Sequence, residues 1–121
     1  MSAAVDLIAA INAHDLDSIA ALMTKDHLFV DAEGTDHHGR AEMHEAWRIC
    51  FDWFPDYEID IERTVSGEGV TSFFGWASGT YSGNGRSWRL PAAWLAVERE
   101  GLVAEWRVYC DTRLPAEILS T

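Results

Sequence analysis

The hydrophobic period of this chain changes once, at Pro55, and that change constrains its fold more than any other feature. Before Pro55, apolar side chains recur at steps of three and four, the spacing of helices that bury one face. Val5, Ile8 and Ile11, with Leu7 alongside, mark a helix over about residues 3–13. Ile19, Leu22 and Met23 mark a short second helix over about residues 18–23. Met43, Trp47, Cys50, Phe51 and Phe54 share one side of a third, from about Arg40 to Phe54, with Glu42, Glu45, Arg48 and Asp52 largely opposite. After Pro55 the period is two: Tyr57, Ile59, Ile61 and Val65 alternate with Glu58, Asp60, Glu62 and Thr64. Three more strands are expected near Val70–Ser82, Ser87–Glu98 and Leu102–Cys110. They are separated by Gly-containing turns at 66–69, 83–85 and 99–101, and links this short join antiparallel neighbours.

One extended run, His27 to Asp31, interrupts the helical half. His14-Asp15-Leu16-Asp17 breaks the first helix, and Asp15 or Asp17 is suited to cap the second. Residues 33–39 read as a polar, Gly-bounded loop, and residues 114–119 as a short closing helix. The order of helix, helix, strand, helix and four strands is α+β. It implies a curved antiparallel sheet folded around helices, with a conical pocket under the long helix. All 121 residues form one domain.

A formal charge of −11 sets the field around this fold and opposes phosphate backbones, so no nucleic-acid partner is expected. No basic cluster or apolar run of about twenty residues suggests a membrane partner. Met1 is followed by no charged-then-apolar leader, so a cytoplasmic location is expected. Cys50 and Cys110 make no disulfide framework and no Cys-x-x-Cys pair, and read as buried small hydrophobes. Asp36-His37-His38 with His44 invites a metal reading. Adjacent histidines on a loop are poor shared ligands, however, and spacing supplies no third, so no metal is expected.

Asp31 carries the clearest chemistry. Alternation puts His27, Phe29 and Asp31 on one face and Leu28 and Val30 on the other. A carboxylate beside Phe29 is expected to be partly desolvated, with a raised pKa suited to a general base. The alternative is a carboxylate satisfied by loop N–H groups or by His37 or His38. Met43, Trp47 and Cys50 on the long helix, with His27 and Phe29, are expected to line the pocket. Trp76 and Trp88 are expected on the convex face, as a dimer contact. Arg89 and Arg107 are expected to pair with strand carboxylates such as Glu105, and Asp111 to cap the closing helix.

The run Ile11-Asn12-Ala13-His14-Asp15-Leu16-Asp17 with Asp31, and the tail from Glu98 to Asp111, resemble the nuclear transport factor 2-like superfamily. That group includes ketosteroid isomerases, limonene epoxide hydrolases and SnoaL-like polyketide cyclases. The resemblance implies a cone-shaped curved antiparallel sheet wrapped around three helices, a homodimer, and no cofactor. By likeness to the isomerases, Asp31 takes the general base position. Their oxyanion-hole Tyr falls at Leu7 and their second Asp near Ala92, Ala93 or Trp94. The epoxide hydrolase catalytic positions fall on Gly75, Ala77 and Val108, so that triad is absent, while Trp106 takes the place of a pocket Trp. Trp94, Trp106, Val108 and Cys110 thereby join the expected pocket lining. The cyclases need an acid–base group and a hydrophobic cavity, and Asp111 is a candidate match for their Asp. Tyr57, Tyr81 and Tyr109 are equal candidates to replace the missing donor. Two functions remain open: an acid–base enzyme acting on a small hydrophobic carbonyl compound with Asp31 as base, or a non-catalytic ligand-binding or assembly module.

Overall fold

Helix ends leave backbone N–H groups without partners, and this chain supplies side chains at two of them. Ser2 Oγ accepts from Val5 N at 3.2 Å, starting α1 (Ala3–Asn12). Asp15 accepts from Ser18 N at 3.1 Å, starting α2 (Leu16–Ala21). The remaining elements are β1 (Met23–Val30), β2 (Asp36–His38), α3 (Arg40–Trp53), β3 (Glu58–Gly67), β4 (Val70–Thr80), β5 (Ser87–Arg99), β6 (Leu102–Tyr109) and α4 (Arg113–Leu119). They are taken from a computed structural model that describes residues 2–121.

The six strands form one sheet in the order β2-β1-β6-β5-β4-β3. Every neighbouring pair is antiparallel except β1 and β6, which run parallel. The α+β cone is as expected, with three refinements. The sheet is mixed, the first strand begins at Met23 rather than His27, and part of the expected loop pairs with β1 as β2. The second helix ends at Ala21, and Val103 N donates to Leu22 O at 2.8 Å, which starts the parallel pairing immediately afterwards. Alternation reports which face a residue takes but not the direction of its neighbour, so the parallel pair was not legible.

The concave face holds the core. In register, Phe73 lies opposite Trp94, and Trp94 opposite Val108; Thr71 lies opposite Ala96, and Ala96 opposite Trp106. Trp94 and Trp106 are each 2% exposed. Trp88 corrects an expectation: it is buried and faces inward, with its ring edge-on to Phe54 at 5.4 Å. Trp88 and Trp94 have the same parity on β5, whose pairing with β4 is unbroken from Ser87 to Val97, so they share a face. Trp76 lies on the opposite face, with the Arg89 guanidinium 4.1 Å above its ring.

The run from Asn12 to Asp15 joins the helices to the sheet. Asn12 Nδ2 donates to Ile59 O at 2.9 Å, and Ile59 N donates to Asn12 Oδ1 at 2.8 Å. One side-chain amide thus completes the backbone of a buried strand residue. His14, in the left-handed region at φ 54°, donates from Nε2 to Tyr57 O at 2.8 Å. Its ring stacks on Phe51 at 4.0 Å and 6°. These contacts hold the start of β3 against the end of α3.

Candidate functional site

Met43, Ala46, Trp47 and Cys50 recur at steps of three and four along α3, so they form one stripe facing the sheet. Together with Phe29 of β1 and Tyr57 just before β3, they line a cavity of about 200 Å³. The ring of Trp47 lies 5.5 Å from Phe51 and 5.9 Å from Tyr57.

The polar atoms of this cavity are uncharged. Burial pushes the Tyr57 phenol well above its ordinary value, and neighbouring Cys50 and Cys110 push it further. Its hydroxyl has no hydrogen-bond partner among the described residues. Burial alone pushes the Cys50 thiol up to about 12, so it carries no thiolate at neutral pH. Trp47 Nε1 is buried and has no partner.

Asp31 sits in the turn after β1, and neither it nor His37 lines the cavity. Its Oδ1 accepts from Glu33 N at 2.9 Å and Thr35 N at 3.0 Å. Its Oδ2 accepts from His37 Nε2 at 2.9 Å. Partial burial pushes this carboxyl up, but the bonds from His37, Thr35 and Glu33 outweigh it and hold the group below its ordinary value. The expectation of a desolvated carboxylate with a raised pKa is therefore corrected. Phe29 supplies apolar surface, but the side chain is 28% exposed and the turn folds its own donors onto it. His37 lies directly opposite Phe29 in the β1–β2 ladder, with ring centroids 5.5 Å apart. His37 Nδ1 is 3.6 Å from Glu42 Oε1, beyond hydrogen-bond length.

Of the expected lining residues, the fold brings Phe29, Met43, Trp47 and Cys50 together. His27 is not among them. It is 0% exposed, and its Nδ1 donates to Val103 O at 2.8 Å. It shares its face with Phe29, as alternation predicts, but is covered by the packed interior rather than open to the cavity. Burial pushes its imidazole below the ordinary 6.5, which favours the neutral ring. Trp94 and Trp106 fill the core beneath the cavity rather than line it, and Val108 packs against that core. Cys110 also packs there, near enough to Tyr57 to raise its phenol. Asp111 stands one residue before the N-cap position, Thr112, and its Oδ1 accepts from Arg113 N, the first N–H of α4, at 2.9 Å; the Arg113 guanidinium also bonds it and holds it down at about 2. Arg107 pairs with Glu105, and Arg89 lies 3.9 Å from Asp60 of β3, so both meet strand carboxylates as expected. Gly75 has no room for a catalytic side chain, because a Cβ there would overlap the Asp60 carbonyl.

Ala46 and Tyr57 were not singled out as lining residues. Ala46 lies on the same helical stripe as Met43 and Cys50, so its spacing was an available signal. The three tyrosines differ in place: Tyr109 is 54% exposed, Tyr81 packs on Phe54 at 6.2 Å, and only Tyr57 meets the cavity. Among the described residues, no three His, Cys, Asp or Glu side chains gather to hold a metal ion. Among the described residues, no helix is long and apolar enough to cross a membrane.

Residues 4–106 match the SnoaL-like domain family. No curated protein sequence matches the chain significantly. Among solved structures, an NTF2-like protein of unknown function from Burkholderia pseudomallei superposes with a TM-score of 0.87 at 16% identity, covering 98% of this chain and 95% of that one. A protein from Jannaschia, assigned as a SnoaL-like polyketide cyclase, gives 0.86 at 17%, covering 98% and 90%. IdmH from Streptomyces antibioticus, assigned as a polyketide cyclase, gives 0.79 at 21%, covering 98% and 96%. At these identities the likeness establishes the NTF2-like cone fold and no activity. With a family match over most of its length and this fold, the chain belongs to the SnoaL-like domain family.

Proposed function

We propose that the protein is a cofactor-independent acid–base enzyme that binds a small apolar carbonyl compound between α3 and the sheet. Isomerisation, cyclisation and dehydration all begin with the same step, removal of a proton next to the carbonyl. The Asp31–His37 pair beside Phe29 is the observation that carries this reading. With Nε2–H given to Asp31, the lone pair on His37 Nδ1 is the proton acceptor, and Asp31 sets the tautomer and the ring orientation. This moves the base from Asp31, whose own bonds disfavour that role, to its partner. At the other end, the neutral Tyr57 hydroxyl donates to the carbonyl oxygen as negative charge develops there. The cyclase assignments of related structures agree with this chemistry.

The test is deuterium exchange into a panel of enolisable ketones in D₂O, followed by NMR. Wild type is expected to exchange, and His37→Gln and Asp31→Asn to lose most of that exchange. A second reading, a binding module, is favoured by the complete hydrogen bonding of Asp31 within its turn. A ketone that binds while exchanging only at the solvent rate would establish the module instead.

The chain is also proposed to form a homodimer through the convex sheet face, where Phe74, Ala93 and Tyr109 lie side by side in register. Phe74 and Tyr109 are exposed by 46% and 54%. Sedimentation of wild type as a dimer and of Phe74→Lys as a monomer would support this, and a monomeric wild type would refute it. A cytoplasmic location accords with the two free thiols.

A further inference from the structure

The cavity limits its ligand in size, charge and polarity. An apolar cavity of about 150 Å³ holds one benzene molecule. The roughly one-third larger space here takes a single ring with a small substituent. Trp94 and Trp106 do not line it and are buried in the core. Nor does it extend past Tyr57, whose ring abuts Trp88 at 6.2 Å. A fused multi-ring molecule therefore exceeds the buried volume and would be left partly outside it.

Charge narrows the class further. No Lys or Arg lines the cavity, and the charged groups nearest its Phe29 end are the carboxylates of Asp31 and Glu42 around His37. A buried carboxylate ligand would have no partner and would meet a protein of net charge −11. The aromatic walls Phe29, Trp47 and Tyr57 suit an ammonium group better. A quaternary ammonium, however, accepts no hydrogen bond, and the Tyr57 hydroxyl would stay unsatisfied. A neutral carbonyl satisfies it.

Resting on the enzymatic reading above for the site but not for the turnover, we propose that the ligand is an uncharged single-ring or similarly short ketone or aldehyde whose oxygen accepts from Tyr57. The neutral Cys50 thiol beside it is no nucleophile, so the carbonyl is bound without a covalent adduct.

The experiment is a set of calorimetric and NMR titrations of the intact protein with cyclohex-2-enone, methylcyclohexane, cyclohexanecarboxylate, tetramethylammonium and a four-ring steroid ketone. The enone is expected to bind at about millimolar Kd or tighter. The carboxylate, the ammonium and the steroid are expected to bind at least tenfold more weakly, by about the worth of one lost or unpaired hydrogen bond. Tyr57→Phe keeps the ring and removes the hydroxyl. It should weaken enone binding by about tenfold and leave methylcyclohexane unchanged. Ala46→Leu, which fills the cavity from α3, should weaken both.

Tighter binding of the steroid or of tetramethylammonium, no binding of the enone, or an enone affinity indifferent to Tyr57→Phe would each overturn the ligand class. Turnover is a separate readout. Enone binding that depends on Tyr57 without deuterium exchange would sink the enzymatic reading and leave the ligand class standing. Steroid binding with exchange would do the reverse.

Discussion

The two ends of the cavity are assembled from very different distances along the chain. At the Asp31 end, every partner of the carboxylate lies within six residues: Glu33, Thr35 and His37. The result is a charged, half-exposed turn that satisfies itself. At the Tyr57 end, the holding hydrogen bonds span more than forty residues. Asn12 grips both backbone groups of Ile59, and His14 bonds the carbonyl of Tyr57 while stacking on Phe51. That end is uncharged. A self-contained turn is insensitive to the rest of the fold, whereas an end held by remote contacts depends on the packing of α1, α3 and β3 together.

Substitutions at the two ends test this contrast. Asn12→Ala is expected to have the largest effect, because it leaves the N–H and C=O of buried Ile59 without partners. A loss of about 2–4 kcal/mol in urea unfolding is expected, with weaker ketone binding through a displaced Tyr57. A loss below half of that range would mean that water replaces the amide and that the clamp is not what positions β3.

His14→Ala removes one hydrogen bond and one stacked ring, about 1–2 kcal/mol. The readout that sharpens the comparison is ligand affinity in the folded variant. Tyr57 should become more mobile, and enone binding should fall even where the protein is fully native. Unchanged affinity would show that α3 alone orients the phenol.

Asp31→Asn should cost least, under about 1 kcal/mol at neutral pH, because the pair is partly solvated. Its pH dependence has a definite sign. The folded carboxyl lies below its unfolded value of 3.8, so its contribution is fully present above that value and is lost as pH falls through the lower folded value. Urea midpoints of wild type and variant should therefore differ at pH 6 and converge as pH falls below 3.8, while the variant keeps wild-type enone affinity. A difference that persists undiminished in acid would assign the effect to geometry rather than to charge.

The same contrast in sequence distance governs how much of the molecule was legible in advance. The stripe of Met43, Trp47 and Cys50 placed α3 from Arg40 to within a residue of its end and identified its cavity face. The Gly-rich turns placed the three long hairpin strands. The pairing of Asp31 with loop N–H groups and a neighbouring His was already one of two open alternatives, because it is local. The side of β5 that Trp88 takes follows from parity with Trp94, but the phase of that parity is set by which face the helices cover. The face that His27 takes was legible from alternation, but not that packing between remote segments covers it completely.

The sequence by itself determined every element except β2, their order and the apolar stripe of α3. Each of these depends on residues within one or two turns of one another, where backbone geometry fixes the spacing. Only the tertiary structure decided that β1 runs parallel to β6, that Trp94 and Trp106 fill the space beneath the cavity, and that Tyr57 rather than Tyr81 or Tyr109 supplies its free hydroxyl. Those outcomes come from packing between segments remote in the chain. Side-chain volume and the register of facing strands set them, and neither is written in the periodicity of any one segment.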